Sequence, residues 1–143
     1  MILADEAATA QVGARLAALA KAGDVITLSG PLGVGKTALA RSLIAALGHD
    51  GEVPSPSFAI VQPYDELALP VWHVDLFRIE QAGETAELGL ESLDHALLLV
   101  EWPERAGGNA WPQALALSLD FASDGARRLT AMVPPAWEER WPR

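Results

Sequence analysis

Apolar residues recur along this chain in two rhythms, one near 3.6 residues and one of 2, and the rhythms alternate in blocks. Ala8, Val12, Leu16 and Leu19 fall at helical spacing on one face. Asp5 before them is a good N-cap and Gly23 after them a good stop, so a helix is predicted from residue 5 to about 22. Residues 25–29 form a short apolar run, read as a buried strand. Leu39, Leu43 and Leu47 stack on one face of a second predicted helix, 36–47, which Gly48 ends. Pro54, Pro56 and Pro63 punctuate the next stretch. Residues 58–61 and 71–75 read as strands on either side of an acidic turn at Asp65-Glu66. A short helix is predicted over 84–90, then an apolar strand over 97–101 that ends in Glu101. Leu115, Leu117, Leu119 and Phe121 alternate strictly, as do Leu129, Ala131 and Val133, with Ser123-Asp124-Gly125 as the hairpin turn between them. Residues 134–143 read as a loosely attached tail.

Helices and strands alternate early and an antiparallel pair closes the chain. That order predicts an α/β layer fold around a mixed central sheet. The length of 143 residues suits one domain, taken as 1–133 with a C-terminal tail at 134–143. Half of the residues are hydrophobic, enough to bury a core. The chain has no cysteine, which excludes thiol catalysis, a disulfide framework and cysteine-ligated zinc, and fits a reducing, cytoplasmic setting. No secretory signal is read at the start, and the longest apolar run is too short to cross a bilayer. The formal net charge is −9. Nucleic-acid affinity rests mainly on lysine and arginine neutralising phosphates, so the chain is a poor stand-alone binder of RNA or DNA.

The segment GPLGVGKT, residues 30–37, matches G-x-x-x-x-G-K-S/T at every fixed position. A chain this long shows the bare pattern by chance roughly once in two hundred times. Here it also lies between a predicted strand and a predicted helix, the setting the chemistry needs. Glycines let the backbone wrap closely and aim its N–H groups at phosphate oxygens, and the helix N-terminus adds partial positive charge. The expected contacts are Gly30, Leu32, Gly33, Val34, Gly35, Lys36, Thr37 and Ala38, with Lys36 reaching the β- and γ-phosphates and the Thr37 hydroxyl a Mg²⁺ ligand. With this cradle, the predicted architecture becomes a three-layer fold like that of P-loop NTPases, with an antiparallel hairpin at its C-terminal end.

A cradle alone hydrolyses nothing, because the metal needs further oxygen ligands and water needs positioning. Glu101 ends an apolar strand, where a metal-side acid belongs; the alternative is a surface acid at a strand end. Asp75 ends another strand, within His73-Val74-Asp75-Leu76-Phe77-Arg78, and reads equally as an acid that orients water or a metal-bound water and as one with no such role. His73 by itself reads as a packed histidine, and Arg78 as either a phosphate contact or a salt-bridge partner. Ser55-Pro56-Ser57-Phe58 is a stiffened loop with two hydroxyls, read either as a γ-phosphate sensor or as a plain proline turn. Trp102 reads as core packing or as a contact to nucleotide or partner.

Taken together, these motifs resemble those of the bacterial TsaE (YjeE) family. That family shows a cradle G-x-L-G-A-G-K-T, then S-P-T-F/Y, then H-x-D-x-Y-R, then an apolar strand ending E-W-P. Here they stand in the same order at residues 30–37, 55–58, 73–78 and 101–103. Three positions depart: Ser57 stands for threonine, Phe77 for tyrosine and Val34 for alanine. Residues 9–13, TAQVG, match the family's T-x-x-L/V-G segment, which makes Thr9 an implied nucleotide contact on the adenine side; Arg127 is a further candidate there. The resemblance implies an ATPase of tRNA threonylcarbamoyladenosine synthesis that binds ATP with Mg²⁺ and hydrolyses it slowly alone. It implies Lys36, Asp75 and Glu101 as catalytic residues and Thr37 and Glu101 at the metal. It adds Ser55, Ser57 and Trp102 to the nucleotide contacts. The implied partners are the TsaD and TsaB proteins, with tRNA met only through that complex, no membrane association, and a monomer when isolated.

Two rival readings share the cradle. One is a small-molecule kinase, for which Arg105 beside Gly107-Gly108 makes only a weak lid. The other is a nucleotide-gated binding module without useful turnover.

Overall fold

In a computed structural model of the chain, the described residues are 1–51, 53, 61–79, 94–107 and 110–141. The loop bearing Ser55 and Ser57, the helix expected over 84–90, and residues 58–60 of an expected strand lie outside them.

Helix α1 spans Glu6–Leu19. Asp5 caps it as expected, its carboxylate accepting the Ala8 N–H at 2.9 Å, and Glu6 places a negative charge in the first turn. Val12, Gly13, Leu16 and Ala17 are its buried stripe. The helix stops short of the expected residue 22. Ala20 is already extended, and the Asp24 carboxylate takes the Lys21 N–H at 2.7 Å, a local bond that competes with another helical turn. Strand β1 (Ile2–Leu3) precedes α1 and strand β2 (Val25–Ser29) follows it. Helix α2 spans Lys36–Ala46, with Leu39, Leu43 and Ile44 buried and Gly48 at φ 110° just past its end. Gly13 has no side chain where α1 crosses α2: a Cβ there would lie 2.5 Å from Ser42 Cβ and 2.9 Å from the Leu43 nitrogen.

Among the described residues, five further strands follow: β3 (Val61–Tyr64), β4 (Val71–Asp75), β5 (Leu97–Glu101), β6 (Leu115–Phe121) and β7 (Arg127–Met132). The seven form one sheet in the order β1-β7-β6-β2-β5-β4-β3. β6, β2, β5 and β4 run parallel, while β7, β1 and β3 each pair antiparallel to a neighbour. β3 begins where the expected strand ended. Pro63 punctuates the sequence yet sits inside β3, which among the described residues is an edge strand, where a missing N–H disrupts no interior ladder.

Alternate residues of β5 face opposite layers. Leu97 and Leu99 join Leu16, Leu39 and Leu43 under the two helices. Leu98 and Val100 join Val74, Leu76 and Ile79 on the other face, which Trp72, Trp102 and Trp111 cover. The mixed α/β sheet closed by a C-terminal antiparallel hairpin is thus the fold observed.

Of the segment expected to be a tail, residues 134–141 are docked rather than loose. Trp137 is fully buried in the helix-side core, and the Arg140 guanidinium forks onto Asp24 at 2.7 and 3.0 Å while also donating to the Leu19 carbonyl at 2.9 Å. The tryptophan escaped notice because Pro134 and Pro135 suggest irregular chain, and irregular chain still packs when it carries one large apolar ring. Trp137→Ala should therefore lower the free energy of unfolding by about 3–5 kcal/mol, read by urea denaturation. A loss under about 1 kcal/mol would mark the segment as dispensable to the core.

Candidate functional site

The parallel strands β2, β5 and β4 bring their carboxyl ends together at one end of the sheet, beside the start of α2, where ligands bind in open α/β sheets. The chain leaves β2 at Gly30 with φ 144°, and a Cβ there would meet the Leu119 carbonyl oxygen at 2.3 Å. Only glycine fits between the loop and β6. Gly35, φ 114°, opens α2 and has nothing within 4 Å of where a Cβ would sit, so the loop presents bare backbone to open space there.

Two cavities meet on this loop. The smaller, about 370 Å³, is lined by Lys36, Thr37, Asp75, Phe77, Glu101 and Trp102 among others. The larger, about 930 Å³, lies between the start of α1, the loop and the Gly125–Arg127 turn, with Thr9, Arg41 and Arg127 in its wall. Gly33, Gly35 and Ala38 border both, so the two form one trough that crosses the loop.

The acid end of the trough is built by strand register. β4 and β5 pair in parallel with Asp75 opposite Glu101, and alternation turns His73, Asp75 and Glu101 toward α2. All three are buried. The Thr37 hydroxyl donates to Glu101 Oε1 at 2.8 Å, tying the first turn of α2 to the end of β5. Glu101 Oε2 lies 2.6 Å from His73 Nε2. Asp75 Oδ1 accepts the Phe77 N–H at 2.8 Å. Burial pushes the Asp75 carboxyl above its usual range, with the neighbouring Glu101 charge adding to the rise, while the Phe77 N–H and the Lys36 cation oppose it.

Lys36 is 5% exposed, and its ammonium donates to the loop's own carbonyls, Gly30 at 2.5 Å and Pro31 at 3.0 Å. Its Nζ also sits 4.1 Å from the centroid of a Trp102 ring. Burial lowers its pKa, and the charges of Glu101, Glu104 and Asp75 pull the other way. Trp102 holds that position through a left-handed backbone, φ 59° and ψ 49°, which costs a non-glycine residue about 1–3 kcal/mol. Phe77, on the other wall, packs on the Trp102 ring at 4.9 Å, and Arg105 lies over both rings.

The structure therefore gathers Lys36, Thr37, Asp75, Glu101 and Trp102 at one end and Thr9 and Arg127 at the other, with Gly33, Gly35 and Ala38 between them. Gly30 serves the loop's approach to β6 and lines neither cavity. Arg127 commits its Nε to the Val34 carbonyl at 2.9 Å, so it tethers the loop to β7. Leu32 is 72% exposed at the rim. One wall residue carries no motif in the sequence, and one residue read as packing has a polar partner. Arg41 follows Ala38, which borders both cavities, by three residues of α2, so helical spacing puts it in the wall of the larger one. The contact of His73 with Glu101 joins different strands and needed the register.

The sequence profile of the family described as Threonylcarbamoyl adenosine biosynthesis protein TsaE matches residues 3–129. The chain belongs to the TsaE family. It is 38% identical over 136 residues to the tRNA threonylcarbamoyladenosine biosynthesis protein TsaE of Streptomyces coelicolor, covering 92% of each chain. It is 37% identical over 116 residues to the protein of the same description from Bacillus subtilis, covering 80% of this chain and 72% of that one. The crystal structure of Bacillus subtilis YdiB superposes with a TM-score of 0.81 at 28% identity, over 97% of this chain and 87% of that one. Among the described residues of this TsaE-family chain, no helix is long and apolar enough to cross a membrane.

The raised Asp75 titration has a definite sign. The folded state holds that proton more tightly than the unfolded chain, so ionising Asp75 costs stability once the pH climbs from the ordinary carboxylate range through the raised value. Asp75→Asn keeps an acceptor for the Phe77 N–H and removes the cost. It should raise the nucleotide-free melting temperature at about pH 7 and lose that advantage at about pH 3, where the acid is protonated in both states. An advantage that persists unchanged at the lower pH would refute the assignment.

Proposed function

We propose that the chain binds ATP with Mg²⁺ along the trough, hydrolyses it slowly, and acts with the TsaD and TsaB proteins in forming threonylcarbamoyladenosine on tRNA. The observation that carries this reading is the loop at residues 30–37, which lies where the two cavities meet, between β2 and α2, with Thr37 bonded to Glu101. A nucleoside suits the larger cavity beside Thr9, and a triphosphate suits the bare backbone and the Lys36 end. The names of the relatives place the family's work in tRNA threonylcarbamoyladenosine biosynthesis, and the net charge of −9 suits docking on protein partners better than gripping tRNA.

Each residue has a task in this reading. Backbone N–H groups of the loop and the N-terminus of α2 bind phosphate oxygens. Lys36 forms no ion pair among the described residues and gives its ammonium only to carbonyls, so its charge is available to a β- or γ-phosphate, which would also offset its desolvation. Thr37 and Glu101 are hard oxygen donors, and they would hold Mg²⁺ directly or through water. Among the described residues no third acid or imidazole completes a protein cage, which suits a cation that takes phosphate and water oxygens for its other positions. The bound cation would neutralise charge that develops on the transferred phosphoryl group. Asp75 orients the attacking water and, held above the usual carboxylate range, is suited to sharing its proton. The Ser55 and Ser57 loop reports the γ-phosphate to the partner.

Lys36→Ala should weaken ATP binding by about 1.5–3 kcal/mol, roughly 10- to 150-fold, in a calorimetric titration. Unchanged affinity would remove the loop from nucleotide binding. Glu101→Ala should keep most of the affinity measured without metal yet abolish the turnover that TsaB and TsaD stimulate. Normal stimulated hydrolysis by that variant would exclude Glu101. Clear transfer of the γ-phosphate to a small metabolite would instead favour a kinase.

A further inference from the structure

Glu101 depends on a buried neighbour for its aim. Its carboxylate has two oxygens and two partners: the Thr37 hydroxyl on Oε1 at 2.8 Å and the His73 imidazole on Oε2 at 2.6 Å. His73 is fully buried on β4, one alternation before Asp75, so it approaches Glu101 from inside the sheet and never meets the trough. Its other nitrogen, Nδ1, is buried without a hydrogen-bond partner among the described residues. A buried imidazole with one orphaned nitrogen is poor core material, because the unmade bond costs free energy. What the ring supplies is the bond from Nε2, and a carboxylate held at both oxygens cannot rotate about its last torsion.

We propose that His73 is a positioning residue, which donates from Nε2 to Glu101 Oε2 and so keeps Oε1 turned toward Thr37 and the cation site. The inference rests on the reading of Glu101 as the metal-side acid. Parts of this kind act through the ligand they hold, and their loss costs about 10–100-fold in metal affinity or activity.

Geometry supplies a selective test. A glutamine at this position carries its amide nitrogen about where Nε2 lies, whereas an asparagine carries its own about where Nδ1 lies. His73→Gln should keep the Mg²⁺ activation constant and kcat within about threefold of the parent, while His73→Asn should shift both by about tenfold or more. ATP affinity measured in EDTA should stay within about twofold for each, since neither variant touches the loop. In the metal-free protein, the proton on His73 Nε2 should exchange slowly in NMR spectra, and its signal should move on Glu101→Gln. Equal behaviour of the glutamine and asparagine variants in Mg²⁺ dependence would overturn the proposal. So would losses that follow melting temperature or metal-free ATP affinity. If ATP binding by the parent chain ignored Mg²⁺ altogether, the reading of Glu101 would fall, and this inference with it. Should His73→Asn not fold, His73→Gln against the parent, with the NMR signal, still decides.

Discussion

A carboxylate buried at the end of an apolar strand organises this molecule. Glu101 is 2% exposed and closes a strand whose other four residues are all leucine or valine. An ion in that place is unfavourable unless its oxygens are occupied, and here each one is. The bond to Thr37 fixes where α2 begins relative to β5, and the bond to His73 ties β5 to β4 below the surface. Where α2 begins in turn decides how the loop before it must curve. The glycines follow from that curvature: Gly30 must pass beside the Leu119 carbonyl, and Gly35 must turn into the helix with a positive φ.

The polar edge of the sheet is held against a cost in stability. Lys36 and Asp75 are both buried, and burial moves each toward its neutral form. Trp102 stands beside them on a strained backbone. Charge without water, a carboxyl eased toward protonation and a twisted tryptophan would all be selected against in a fold built only to be stable. Their meeting in one cavity fits the proposed nucleotide site, where a bound ligand would offset that cost.

Much of this was legible in the sequence, for a reason that can be stated. The loop motif, the strand ending in Glu101 and the cap at Asp5 are local signals, carried by residues close together in the chain. The helix stripe of Leu39 and Leu43 and the alternation of Leu115, Leu117 and Leu119 are equally local, and the α/β order followed from them. What escaped depended on partners far apart. Asp24 ends α1 early, yet the same carboxylate binds Arg140, which no reading of residues 20–24 contains. Pro63 looks like an interruption until β3 is known to be an edge. His73 looked like packing because its partner lies 28 residues away on the adjoining strand. Arg41 is the exception: helical spacing from Ala38 is enough to place it.

The docking of residues 137–140 bears on how the molecule is made. Leu3, Asp5, Glu6 and Thr9 wall the larger cavity, yet the strand and helix that carry them are held from the far end of the chain. β1 pairs with β7, the Met1 ammonium donates to the Leu129 carbonyl, Trp137 fills the core under α1, and Arg140 holds the Leu19 carbonyl. A ribosome must therefore translate past residue 140 before that wall closes. The glycine loop emerges early, but the wall beside it is complete only once residues 127–140 have been made and packed against it.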